Sequence, residues 1–270
     1  MSNPTNKYGL TAVPASAQDL LRNTPCYPAP TSPPIPIPVS ATQIPETPLS
    51  QRINAYACTH LPEETYNHSR RVYHFGLAIK RYRFPFADWD FDDETYFLAC
   101  LLHDIGTTEA NITATKLSFE FFGGVLALRV LQHDTHGYEN QDEAVGTARA
   151  RDRGPQPGSG EATAPREQAE SVAEAIIRHQ DLSLVGSITA LGQLLQLATI
   201  FDNIGVYSDL VHADTIKDVS IHFPRKRWSH CFAATIRREN SLKPWAHTTA
   251  LGEEEFPANV LGNTLMAPYE

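Results

Sequence analysis

His103 and Asp104 stand side by side, and two more residues of the same kinds, His68 and Asp202, lie far from them along the chain. Neutral imidazole nitrogen combined with carboxylate oxygen suits a divalent cation such as zinc or ferrous iron. The dipeptide alone is weak evidence, since a His-Asp pair arises often by chance. What decides its meaning is whether the elements carrying these four residues turn them toward one point.

Leu101-Leu102 precede the pair and Gly106 follows it, the pattern of an apolar helix that ends at a residue free to take positive φ. Upstream, Pro62 suits the first turn of a helix, and Glu63 and Glu64 suit its positive end. That helix runs to about Arg83, and His68, Val72, Phe75 and Ile79 share one of its faces. Asp92 or Asp93 can cap the next helix, on which Tyr96, Ala99 and His103 share a face. A further helix is expected from about Ser118 to Gln132, with Gly123-Gly124 marking a close helix crossing. Helix resumes after Pro165, and Val172, Ile176 and His179 point inward together. Over 188–203, Leu191, Leu195, Ala198 and Asp202 repeat on the apolar face, and Gly205 ends the helix. A carboxylate on such a face requires a cation or several hydrogen-bond donors.

The rest of the chain bounds the answer. A formal net charge of −9 over 270 residues argues against nucleic acid as partner, which needs clustered Lys and Arg. Arg225-Lys226-Arg227 is short and reads as a solvated surface turn. Cys26, Cys58, Cys100 and Cys231 show no paired spacing, so neither a disulfide framework nor a cysteine-rich zinc site is expected. No stretch reaches the ~18 apolar residues of a membrane span, and the first residues carry no secretory hydrophobic region. The expected compartment is the reducing cytoplasm. Nine prolines between Pro25 and Pro48 forbid helix and favour an extended polyproline conformation. Residues 1–48 therefore read as a Pro-rich N-terminal arm, and 49–270 as one all-α domain. The Gly- and Pro-rich stretch 146–164 reads as a flexible loop within that domain. After Ser208 the pattern is less regular, with one more helix over about 229–240. From Lys243 onward an irregular C-terminal tail packs on the domain or on a neighbouring subunit, which suggests a homo-oligomer.

The order His … His-Asp … Asp on an all-α background resembles the HD-domain superfamily, a helical bundle. Several stretches are similar to the cyanamide hydratase family within it. They include Glu64-Thr65-Tyr66-Asn67-His68-Ser69, Cys100 to Thr107, and Ala173-Glu174-Ala175-Ile176-Ile177-Arg178-His179. Phe223-Pro224-Arg225 and Lys243-Pro244-Trp245-Ala246-His247-Thr248-Thr249 belong with them. The resemblance implies one metal, zinc with ferrous iron as the alternative, bound by His68, His103, Asp104 and Asp202. It further implies hydration of the nitrile of cyanamide, a small-molecule substrate, to urea. Metal-bound hydroxide would attack the nitrile carbon, because a metal held by imidazole and carboxylate lowers the pKa of its water toward 7. The nitrile nitrogen must then be protonated. His179 is the first candidate donor, Asp104 can take the proton from the metal water, and Glu109 can line the pocket together with Thr107 and Thr108.

The competing class is an HD-type phosphohydrolase acting on a nucleotide or phosphoester, with Arg70, Arg71 or Lys116 facing phosphate. Against its nucleotidase branch stands Thr107, where a glutamate is expected. A second metal would need more inward histidines, and His133 and His136 read instead as a helix end and turn.

Overall fold

The structure is a computed structural model that describes residues 7–22, 29–85, 87, 89, 91–133 and 162–270. Eleven α-helices are formed among these residues, so the expected all-α class holds. The N-terminal piece contributes a strand, β1 (Ala12–Pro14), and a short helix, α1 (Ala17–Leu21). The bundle comprises α2 (Pro48–His60), α3 (Glu63–Arg83), α4 (Asp93–Leu102), α5 (Glu109–Ala114), α6 (Phe119–Gln132) and α7 (Arg166–Ile177). After strand β2 (Ser187–Thr189) it continues with α8 (Ala190–Ile204), α9 (Ala213–His222), α10 (Trp228–Leu242) and α11 (Glu255–Leu261).

Local chemistry sets these elements. Glu63 and Glu64 open α3 while Lys80, Arg81 and Arg83 close it, each sign complementing the helix dipole. The Asp92 side chain accepts the Thr95 N–H at 2.7 Å and caps α4, which is buried from Thr95 to Leu102. Thr189 caps α8 by accepting the Gly192 N–H at 3.0 Å, and Gly205 ends that helix at φ 72°. Helices α3 and α8 pack along each other through the centre, as do α6 and α7 at one side. The expected crossing at Gly123-Gly124 is that second contact: a Cβ on Gly124 would lie 2.4 Å from Ile177 Cγ1 and 2.9 Å from the Ala173 carbonyl.

Four readings need correction. Gly106 does not take positive φ. It is small because α6 crosses it, and a Cβ there would sit 2.1 Å from the Phe119 carbonyl oxygen. The N-terminal residues are not all outside the core: Val13 and Leu20 are buried in it, and β1 pairs antiparallel with β2, Val13 opposite Ile188. Helix α9 occupies a stretch that looked irregular. The tail is partly helical and covers a second apolar cluster of Trp228, Phe232, Ile236, Phe256 and Val260.

The proline-rich segment lies over the bundle. Its Ile37 N–H donates to Thr215 Oγ1 at 2.7 Å and its Val39 N–H to Asp218 Oδ2 at 2.7 Å. Of the loop read over 146–164, residues up to 161 lie outside the described residues. Ala164 is held against α6 through its N–H to the Leu131 carbonyl at 2.9 Å.

Candidate metal centre

His68 lies in the second turn of α3, and its side chain is fully buried with Val72, Phe75 and Ile79. His103 occupies the C-cap of α4 in helical conformation, and Asp104 follows as the chain turns toward α5. Thr107 Oγ1 donates to the Asp104 carbonyl at 2.7 Å and holds that turn. His179 comes two residues after the end of α7. All four side chains are at most 1% exposed.

Three of them offer ligand atoms, His68, His103 and Asp104, that lie within 4.8 Å of one another. His68 Nε2 and His103 Nε2 are 3.2 Å apart, and Asp104 Oδ2 is 3.2 Å from His103 Nε2 and 3.7 Å from His68 Nε2. His179 Nε2 lies 3.8 Å from the other carboxylate oxygen, Asp104 Oδ1.

The partners of the opposite ring nitrogens fix the tautomers. His103 Nδ1 faces the Cys100 carbonyl at 2.8 Å, and His179 Nδ1 faces the Ile176 carbonyl at 2.7 Å. His68 Nδ1 faces Asp202 Oδ2 at 2.6 Å. None of these oxygens can donate, so each Nδ1 carries the proton and each Nε2 presents a lone pair. Two lone pairs and a carboxylate thus converge in a buried space, and the His179 lone pair lies 3.8 Å from the other oxygen of that carboxylate. Both Asp104 oxygens and His179 Nε2 lack hydrogen-bond partners among the described residues. Such a set is repulsive by itself and is matched by a divalent cation.

Electrostatics favour the neutral, ligating form at His68 and His179 and the charged form at His103. Burial pushes His68 down to about 4, although the Asp202 carboxylate opposes it. Burial and then the neighbouring His103 lower His179, which favours its neutral, ligating form. Burial disfavours charge on His103 too, but Asp104 beside it carries the balance upward. Burial also works against the Asp104 carboxylate, yet His103, His68 and His179 around it hold it ionised, far below the usual range.

Asp202 stands one step back. Its side chain accepts from Arg71 Nη2 at 2.9 Å, from Arg225 Nη1 at 2.7 Å and from His68 Nδ1. Burial raises the cost of its charge, but the two guanidiniums outweigh burial and hold the carboxyl well below its ordinary value. The expected cation partners are therefore arginines, one of which, Arg225, was read as a surface residue. It is fully buried, whereas Lys226 and Arg227 of the same run are exposed. Trp228 stacks on the His68 ring at 4.2 Å between centroids and 13° between planes. Trp228 did not stand out in the sequence, and Arg225 did so only within Phe223-Pro224-Arg225 and a basic run, without a role at the centre; the pointer to that role was the unbalanced charge on the apolar face of α8.

Glu109 does not belong to the centre. It is exposed at the start of α5 and pairs with Arg238 at 2.8 Å, since the turn after Asp104 directs that helix outward. Thr108 is spent on capping α5 through the Asn111 N–H at 3.3 Å. Arg71 is committed to Asp202, while Arg70 stacks on Phe223 at 4.6 Å and donates to the Tyr66 hydroxyl at 2.9 Å. Lys116 is exposed. His133 is exposed as well, and His136 lies outside the described residues.

Comparison with known proteins bears on the same residues. The HD domain profile matches residues 65–204, which span His68, His103, Asp104, His179 and Asp202. Two proteins of Saccharomyces cerevisiae, cyanamide hydratase DDI2 and cyanamide hydratase DDI3, are each 40% identical to this chain over 229 residues. The alignment covers 85% of this chain and 88% of each relative. The chain belongs to the cyanamide hydratase family of HD-domain proteins. HD-domain proteins bind divalent metals, and the His68-His103-Asp104 group is where the described residues of this family member could hold one. No helix among the described residues is long and apolar enough to cross a membrane.

Proposed function

We propose that this protein hydrates the nitrile of cyanamide to urea at a mononuclear centre held by His68, His103, Asp104 and His179. The observation that carries this reading is the convergence of the His68 and His103 Nε2 lone pairs on the Asp104 carboxylate, whose other oxygen His179 Nε2 faces at 3.8 Å. The 40% identity to two cyanamide hydratases along most of both chains supplies the substrate. His179 takes the fourth position in preference to Asp202. Its Nε2 faces Asp104, whereas Asp202 is saturated by Arg71, Arg225 and His68. The same geometry argues against His179 as the proton donor, because its one N–H is directed to the Ile176 carbonyl. Asp202 is then the carboxylate that fixes the tautomer of His68.

When bound, zinc, or ferrous iron as the alternative, lowers the pKa of coordinated water toward 7 and acts as a Lewis acid. Hydration forms a C–O bond at the nitrile carbon and brings a proton to the nitrogen, and the isourea product tautomerises to urea. Asp104 is ionised and has two oxygens, so one can face the cation while the other accepts the hydrogen of the attacking water and orients it. Burial of all four residues keeps bulk water from the reacting atoms and strengthens each charge interaction. The same reading takes the protein to be cytoplasmic, in keeping with unpaired Cys58, Cys100 and Cys231. It also takes the protein to be a homo-oligomer, with Trp245 and Leu261 exposed on the C-terminal segment.

The test is urea release from cyanamide by the purified protein. Urea is expected, and His103→Ala abolishes it. Phosphate release from nucleotides with no urea formed would replace this reading with the phosphohydrolase one.

A further inference from the structure

The sequence carries Arg225 three residues before the Trp228 that packs on His68, and the fold buries this guanidinium completely. Lys226 and Arg227 both adopt left-handed backbone, φ 51° and 62°, and turn the chain so that Arg225 points inward as α10 begins. Arg225 Nη1 donates to Asp202 Oδ1 at 2.7 Å and to the Asp202 carbonyl at 3.1 Å. Its far side is met by Glu270. Arg225 Nε donates to Glu270 Oε1 at 2.8 Å, and Arg225 Nη2 donates to Ser229 Oγ at 3.0 Å. Ser229 Oγ in turn donates to Glu270 Oε1 at 2.6 Å.

The charges explain the arrangement. Two buried guanidiniums, Arg71 and Arg225, share the single carboxylate of Asp202. A buried charge without its counter-charge is costly, and Glu270, its side chain 22% exposed, supplies the second negative charge. With Glu270 in place the cluster is neutral, and Asp202 keeps one strong hydrogen bond for His68 Nδ1. Without it, a net positive charge would lie behind the ligand that has to receive a cation. The excess charge would pull Asp202 from the imidazole and repel the incoming ion.

We propose that Glu270 is a positioning residue for the metal centre, acting through Arg225 and Asp202 on His68. This rests on the metal reading given above. Partners of ligating histidines typically change metal affinity by about 10–100-fold when removed, and Glu270 acts two residues further out, so about tenfold is expected. The experiment measures the Zn2+ dissociation constant of the full chain by competition with a chromophoric chelator, with near-ultraviolet circular dichroism to confirm the metal-free fold. Glu270→Gln removes the charge and keeps the shape, and should weaken Zn2+ binding about tenfold. Glu270→Asp, which restores the charge, should recover part of the loss. Glu254→Gln breaks the exposed pair with Arg237 and should leave Zn2+ binding unchanged. If Glu270→Gln does not fold, Glu270→Asp and Ser229→Ala are read in its place, and each should bind Zn2+ about threefold more weakly. Wild-type affinity in a folded Glu270→Gln, or in both substitutes, overturns the proposal alone. A wild-type protein that takes up no Zn2+ overturns the metal reading and this proposal together.

Discussion

At the scale of single residues, the site is a matter of which nitrogen carries the proton. His68, His103 and His179 each spend Nδ1–H on an oxygen acceptor and aim Nε2 inward. The sequence makes His68, His103 and Asp104 legible because helical spacing puts them with apolar residues. It does not separate a ligand from the carboxylate behind a ligand: helical spacing turns Asp202 and His179 inward alike, and the resemblance makes Asp202 the ligand and leaves His179 as the candidate proton donor. That distinction rests on Arg71 and Arg225, which come from segments 131 and 23 residues away from Asp202. Asp202→Asn leaves two buried guanidiniums short of charge and should destabilise the protein by about 3–5 kcal/mol, read as a lower midpoint in urea denaturation. Glu109→Gln removes only an exposed ion pair with Arg238 and should leave cyanamide turnover within about twofold of wild type. A larger loss would return Glu109 to the mechanism.

At the scale of elements, the helices that carry the ligands were readable and the crossings that align them were only partly so. The apolar face of α3, the Asp92 cap of α4 and the run of α8 follow from spacing and capping chemistry. Helix α9 escaped because its amphipathic pattern is short and is flanked by turns, and Gly106 was misread because positive φ and close approach leave the same mark in a sequence. Its role predicts a specific failure. Gly106→Ala sets a Cβ against the Phe119 carbonyl, forces α6 away from the turn after Asp104, and should cost about 1–3 kcal/mol. Because that turn positions Asp104, cyanamide turnover should fall more than stability alone explains. Turnover that tracks only the folded fraction would show that α6 does not set the site.

For the whole molecule, the bundle and the proline-rich segment act as one body. Thr42 Oγ1 meets the buried His74 Nδ1 at 2.7 Å, and His74 stacks on Phe223 at 5.1 Å, so the segment, α3 and the chain before Arg225 are tied together. Burial, with Arg70 and His222 adding to it, pushes His74 down to about 3. An unfolded histidine titrates near 6.5 and therefore takes up its proton first as pH falls. His74 thus withdraws stability between pH 6.5 and about 3, at a slope approaching ~1.4 kcal/mol per pH unit. His74→Gln should flatten the pH dependence of urea denaturation in that window, and equal slopes would show that His74 protonates freely in the native state. The composition, with its net charge of −9, bears on partners and argues against nucleic acid. It could not foretell that the N-terminal strand would be stitched to β2, because that pairing joins residues 173 to 177 positions apart with three residues on each side.

The central claim is that three imidazoles and one carboxylate hold the cation while a second carboxylate stands behind His68. Anomalous scattering at the zinc edge from crystals of the zinc-loaded protein tests it directly. The account predicts a single peak about 2.0–2.1 Å from Nε2 of His68, His103 and His179, with Asp104 completing the shell and Asp202 still paired with Arg71 and Arg225. A peak bonded to Asp202 with His179 turned away, or no peak among these residues, would contradict it.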